Sequence, residues 1–167
     1  MISDTSPGML RADSIVLTQK NDICVDAGSG GNSASVLVGV SSDLPAFERA
    51  LQLQDAAARV GFDWPELADI WAKVYEELDE LAAALANQDR ANTYEELGDV
   101  LFALTNLARR LELDPAAALE ATNQKFIARF QAMERSATLD GVQLIDEPID
   151  QQIARYQAAK QALGKGG

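Results

Sequence analysis

Histidine is absent from the 167 residues, and cysteine occurs once, at Cys24. Without histidine the chain cannot run a Ser-His-Asp or Cys-His relay, nor use an imidazole as general base. A zinc site built from Cys and His is disfavoured for the same reason. So is a di-iron carboxylate bundle, which needs a Glu-x-x-His motif on its helices. One thiol cannot close an intrachain disulfide, which suits a reducing compartment. Basic residues are also scarce: 14 Lys and Arg against 26 Asp and Glu leave a net charge of −12. A chain this acidic repels phosphate backbones and anionic lipid, so neither nucleic acid nor a membrane surface is an expected partner. No apolar run approaches the ~20 residues that span a bilayer. Met1 to Arg11 lacks the basic-then-apolar order of a signal peptide. The expectation is a cytoplasmic protein.

What is present is enough apolar surface, 47% of residues, for one domain with a real core. Residues 1–43 differ from the rest. Ser14 to Thr18 and Val36 to Val40 are short β-branched runs flanking Gly28-Ser29-Gly30-Gly31-Asn32-Ser33, which reads as a short irregular or β-hairpin arm. The glycine run lacks the Lys-Ser/Thr of a phosphate loop and no helical pattern follows it, so it reads as a linker. From residue 44 to 164 the pattern is helical. Ser42-Asp43 predicts a cap for a helix over Leu44 to Val60, stopped by Gly61. Asp63 is the expected cap of a second helix, with the seam Leu67, Trp71, Val74, Leu78, Leu81 and Leu85. Thr93 is the expected cap of a third, with the seam Leu97, Leu101, Leu104, Ala108 and Leu111. Asp114-Pro115 opens a fourth, with Leu119, Thr122, Phe126, Phe130 and Met133 facing inward, and Pro148 opens a fifth that ends at Gly164. Trp64 and Trp71 read as core. The predicted fold is all-α, an antiparallel bundle of about five helices.

Two acidic clusters sit on the second and third helices. Glu77 and Glu80 are three residues apart and share a face, as do Glu96 and Asp99. If the two helices pack antiparallel, the pairs converge on one pocket. Four hard oxygen donors with no nitrogen or sulfur suit Mg²⁺ or Mn²⁺. Spacing alone leaves a second reading open, an ordinary solvated acidic face. Glu96 also has a local explanation, because Thr93-x-x-Glu96 fits a capping box.

The ordered series resembles the MazG-type all-α nucleoside triphosphate pyrophosphohydrolases, whose hallmark is Glu-Glu-x-x-Glu followed by Glu-x-x-Asp. Here these are Glu76-Glu77-x-x-Glu80 and Glu96-x-x-Asp99. Val60-Gly61-Phe62-Asp63-Trp64, Lys73 to Glu80, Glu96 to Leu104, Asn106 to Arg109 and Asn123 to Phe130 extend the likeness to the family's C-terminal catalytic repeat, over about residues 44 to 163. Two-repeat members of the family carry a second copy; residues 1–43 do not contain one. The resemblance implies hydrolysis between the α and β phosphates of a nucleoside triphosphate, in a nucleotide-pool house-cleaning role, with Mg²⁺ held by Glu77, Glu80, Glu96 and Asp99. It implies triphosphate contacts from Lys125 and Arg129. Lys73 is a further candidate for the phosphates, and Glu76 a candidate base for the attacking water. It also implies a bundle completed in a homodimer or larger assembly. Two positions depart from the family pattern: Tyr156 stands where the family's Trp-x-x-x-Lys places a tryptophan near the nucleobase, and Asn92 replaces a lysine. These departures keep a second expectation alive, a catalytically weak nucleotide-binding or partner-docking helical dimer.

Overall fold

A computed structural model describes residues 35–164. Among them are five α-helices and no strand: α1 (Ala46–Ala58), α2 (Leu67–Ala86), α3 (Arg90–Arg110), α4 (Pro115–Leu139) and α5 (Ile149–Gly164), with a 3₁₀ turn at Leu144–Asp146. The Ser14 to Thr18 run and the glycine-rich stretch lie outside the described residues. Val36 to Val40 is not a strand. It folds as successive turns, with Val38 N donating to Ser35 O and Val40 N to Leu37 O.

Four of the five helices stop in the same way. The N–H just beyond the end reaches back five residues, from Phe62 to Ala57, Asp89 to Ala84, Leu113 to Ala108 and Val142 to Ala137, at 2.9–3.1 Å. This closure needs one residue in the left-handed region. Gly61 (φ 87°) and Gly141 (φ 72°) supply it without strain, while Gln88 (φ 56°) and Glu112 (φ 55°) supply it with a side chain. Helix starts differ from expectation. Pro45, not Ser42 or Asp43, precedes α1. Glu66 precedes α2, its N–H bonded to Asp69 Oδ2 at 3.1 Å. Asp63 is left free of capping and instead, with Asp55, binds the Arg109 guanidinium, while Arg110 donates to the carbonyl of Trp64. These contacts tie the α1–α2 loop to the C-terminal end of α3. Asp89 caps α3 by accepting from Asn92 N at 3.1 Å, and Thr93 lies inside the helix, its hydroxyl returned to Asp89 O. Asp114 caps α4 as its sequence predicts, accepting from Ala116 N and Ala117 N.

The main packing is the antiparallel α2–α3 hairpin; α1 lies on α3, and α4 pairs with α5. The buried seam of α2 is Ile70, Val74, Glu77 and Ala84, and that of α3 includes Val100, Ala103 and Leu107. Ile70 and Val74, 1% and 3% exposed, each contribute about 1.5–3 kcal/mol by leaving water. Of the seams expected from the leucine spacing, Val74 is buried and Leu81 and Ala108 are half-buried, but most of the large apolar positions face outward. Leu67, Trp71, Leu78, Leu85, Leu97, Leu101, Leu104 and Leu111 are all at least a third exposed, as are Trp64, Leu119, Phe126 and Phe130. Of the inward positions expected on α4, Met133 is buried. The α1 contact is pinned by buried Gln54, whose Nε2 donates to Phe102 O at 2.9 Å.

Candidate functional site

Glu77 sits on the buried seam of α2, at 6% exposure, where the 4-3-4 spacing calls for an apolar side chain. A carboxylate there is costly to desolvate unless it is partnered. Directly opposite, α3 brings Glu96, half-buried, and Asp99, exposed. One carboxylate oxygen from each of Glu77, Glu96 and Asp99 lies within 4.8 Å of the others. Because Thr93 is inside α3 and Asp89 is the cap, the capping-box explanation of Glu96 falls away. Its carboxylate is held toward α2 by the helix and not by a local cap.

Glu80 follows Glu77 by one turn. Desolvation, then its hydrogen bond and charge contact with Glu77, then the charge of Glu96, raise its carboxyl above the usual carboxylate range, opposed by Lys73. It therefore feels the same cluster, although its oxygens fall outside the tight group of three. Lys73 precedes Glu77 by one turn on α2. Its Nζ lies 2.7 Å from Oε1 of Glu76 and 2.7 Å from Oε1 of Glu77. The bonds to Glu76 and then Glu77 hold the amine protonated well above the ordinary lysine range. Glu76 itself, 58% exposed at the side chain, stands on the shoulder of the cluster and points to Lys73.

Five carboxylates, Glu76, Glu77, Glu80, Glu96 and Asp99, around the one ammonium of Lys73 leave an excess of negative charge at the α2–α3 contact. Among the described residues, neither Glu80, Glu96 nor Asp99 has a Lys or Arg nitrogen within 4 Å. The donors are all hard oxygens, and one is buried and fixed. That set fits a small divalent cation of the Mg²⁺ or Mn²⁺ type.

Lys125 and Arg129 lie one turn apart on α4, exposed and half-buried respectively. Neither forms an ion pair with a described carboxylate. On the same helix, Phe126 stacks with Phe130 at 5.7 Å and meets the half-buried ring of Tyr156 on α5 at 5.9 Å. Phe126 and Phe130, 54% and 37% exposed, form an open aromatic face that apolar spacing had assigned to the core. Its one sequence signal was the column of Lys125 and Arg129 directly beside it, since charged side chains seldom border a fully buried stripe so closely. Tyr156 is positioned by its neighbour. The Arg155 guanidinium clasps Glu147 with two nitrogens at 2.7–2.9 Å and also reaches Asp140 Oδ2 at 2.6 Å and Ser136 Oγ at 2.9 Å. This locks α5 and the 3₁₀ turn against the end of α4. No helix among the described residues is long and apolar enough to cross a membrane.

Comparison with known proteins bears on the same segment. Residues 66–133, which contain both acidic clusters, Lys125 and Arg129, match the MazG nucleotide pyrophosphohydrolase domain. The chain is 36% identical over 137 residues to a nucleoside triphosphate pyrophosphohydrolase/pyrophosphatase MazG of Thermotoga maritima, spanning 81% of this chain and 52% of that protein. It is 39% identical over 128 residues to a nucleoside triphosphate pyrophosphohydrolase of Escherichia coli, spanning 75% and 49%. A shorter match, 40% over 70 residues, is to the uncharacterised protein YabN of Bacillus subtilis, covering 42% of this chain and 14% of that one. The chain thus spans about half the length of the first two relatives.

Proposed function

Because the chain carries the nucleotide pyrophosphohydrolase domain of the MazG family, we propose that it hydrolyses nucleoside triphosphates to the monophosphate and pyrophosphate, in a nucleotide-pool house-cleaning role. The observation that carries the reading is the meeting of Glu77, Glu96 and Asp99 within 4.8 Å at the α2–α3 contact, inside the matched segment. Glu77, Glu80, Glu96 and Asp99 are the proposed ligands of Mg²⁺, with Mn²⁺ the chemically nearest substitute. A divalent cation bound there supplies the charge that lets an acidic site accept a polyanion, polarises the phosphoryl group and acidifies water, so no histidine is required.

The chain's own groups then have separate roles. Buried Glu77 presents fixed oxygens. Glu76, exposed beside it, accepts the proton of the attacking water at its carboxylate. Lys73, Lys125 and Arg129 neutralise phosphate oxygens, and Tyr156 with Phe126 offers ring faces for a base to stack on. The exposed column of Leu67, Trp71, Leu78, Leu97, Leu101 and Leu104 is larger than a lone protomer needs, and we assign it to a second copy of the chain in a homodimer or larger assembly. Residues 44–164 form the catalytic unit in this reading, and 1–43 an arm.

The test is incubation of the full chain with a panel of ordinary and damaged nucleoside triphosphates plus Mg²⁺, assaying pyrophosphate and monophosphate. Release of both, lost in Glu96→Gln, supports the proposal. No release from any substrate by folded protein refutes it. A second reading, a nucleotide-binding dimer without turnover, draws on Lys73 being already engaged by Glu76 and Glu77; nucleotide binding without pyrophosphate release would favour it.

A further inference from the structure

The contacts of Lys73 give it a role that precedes any phosphate. Its Nζ donates to Oε1 of both Glu76 and Glu77, at 2.7 Å each. Glu77 is also one of the three carboxylates that converge with Glu96 and Asp99. One buried carboxylate is thus shared between an ammonium already in place and the cation that the cluster is built to attract. A divalent ion among those oxygens and an ammonium on one of them repel each other across a few ångströms, in surroundings that screen them poorly.

We propose that Lys73 is a built-in competitor of the divalent cation: its ammonium occupies Glu77 in the metal-free protein, and metal entry expels it and so delivers it to the substrate's phosphates. The inference rests on the proposed metal site and adds an order of events to it. Two features favour exchange over coexistence. Lys73 is one third exposed on a flexible four-carbon stem, so it can leave, whereas the Glu77 side chain, 8% exposed, is held on the seam. Glu76, the second anchor, is 58% exposed and offers only a water-screened partner to hold the ammonium back. Before metal binds, Lys73 is unavailable to phosphate; after it binds, a mobile ammonium stands one turn from the cluster. Metal and nucleotide affinities are then coupled through this side chain, each raising the other.

The opposite role, Lys73 as a supporting donor that orients Glu77 for the metal, predicts the opposite sign. Calorimetric titration of Mn²⁺ into the full-length wild type, Lys73→Met and Lys73→Arg separates the two. Removing the competitor should tighten Mn²⁺ binding roughly 2- to 5-fold in Lys73→Met, the scale of one partly exposed ion pair, while Lys73→Arg stays near wild type. In the wild type, acylation of Lys73 by an N-hydroxysuccinimide ester, followed by mass spectrometry and normalised to Lys160, should rise when Mn²⁺ is added. Equal or weaker Mn²⁺ affinity in Lys73→Met, or labelling that stays level or falls, overturns the competitor role. If Mn²⁺ binds wild type and Lys73→Met equally, the metal site stands and only the competitor is removed. If wild type binds no Mn²⁺, both fall together.

Discussion

Glu77 costs the fold something that its neighbours do not. Well-packed apolar side chains in place of both members of a buried ion pair are often stabilising by about 1–4 kcal/mol. Glu77→Leu combined with Lys73→Met should therefore raise the midpoint of urea unfolding of the metal-free protein while abolishing pyrophosphate release, a trade in which stability is surrendered to the site. The reverse experiment uses the metal. Mg²⁺ at a hundred times its dissociation constant should add about 2.7 kcal/mol to unfolding stability, and Asp99→Asn should remove most of that gain; a thermal shift assay reads both. Arg155 acts at a distance from the cluster. Its guanidinium satisfies Glu147, Asp140 and Ser136 together, a fork that lysine cannot reproduce. Arg155→Lys should speed amide exchange along α5 nearly as much as Arg155→Met, and should weaken nucleotide binding through Tyr156 more than it lowers turnover at saturation.

At the level of elements, the four left-handed helix stops invite a paired comparison. Gly61→Ala places a Cβ at φ 87° and should cost about 1–2 kcal/mol. Gln88→Gly relieves the corresponding strain at φ 56° and, after the extra freedom it gives the unfolded chain, should gain up to about 1 kcal/mol. Denaturant titrations of the two variants check both signs. Number and order of helices were legible because Gly61 and Asp114-Pro115 mark boundaries by backbone chemistry that tertiary context seldom overrides. Thr93 was misleading because Asp89, four residues earlier, is an equally good cap, and a helix begun earlier gains a further turn of hydrogen bonds. The seams were partly displaced for a different reason. Spacing selects the largest apolar residues, whereas beside Val74, which it did select, the α2–α3 contact buries Ile70, Ala84, Val100 and Ala103. Two apolar columns run along each helix, and period alone does not say which meets its own chain. Convergence of Glu77 with Glu96 and Asp99 was readable from the three-residue offsets of Glu77–Glu80 and Glu96–Asp99 once the helices are antiparallel. The grip of Lys73 on two carboxylates was not, because it depends on side-chain rotamers.

For the whole molecule, the outer columns of α2 and α3 carry the largest consequence. Trp71→Glu combined with Leu101→Glu should yield a helical monomer by analytical ultracentrifugation, with circular dichroism unchanged, where the wild type sediments as a dimer or larger species. Both substitutions fall on exposed positions, 44% each, so the protomer's own core is spared. The connectivity adds a kinetic corollary. The α2–α3 pair is closed by three residues, Asn87 to Asp89, and the α4–α5 pair by the short stretch from Asp140 to Pro148. Most packing is thus between chain neighbours, the condition for rapid folding with little loop-closure entropy to overcome. Refolding from urea should show a fast helical phase independent of protein concentration, followed by a slower one whose rate rises with it. The hairpins would then be complete before two chains meet. The leucine columns left outside them would be the surface on which a newly made protomer is most exposed to a wrong partner, so a cell would need this protein to find its own copy quickly.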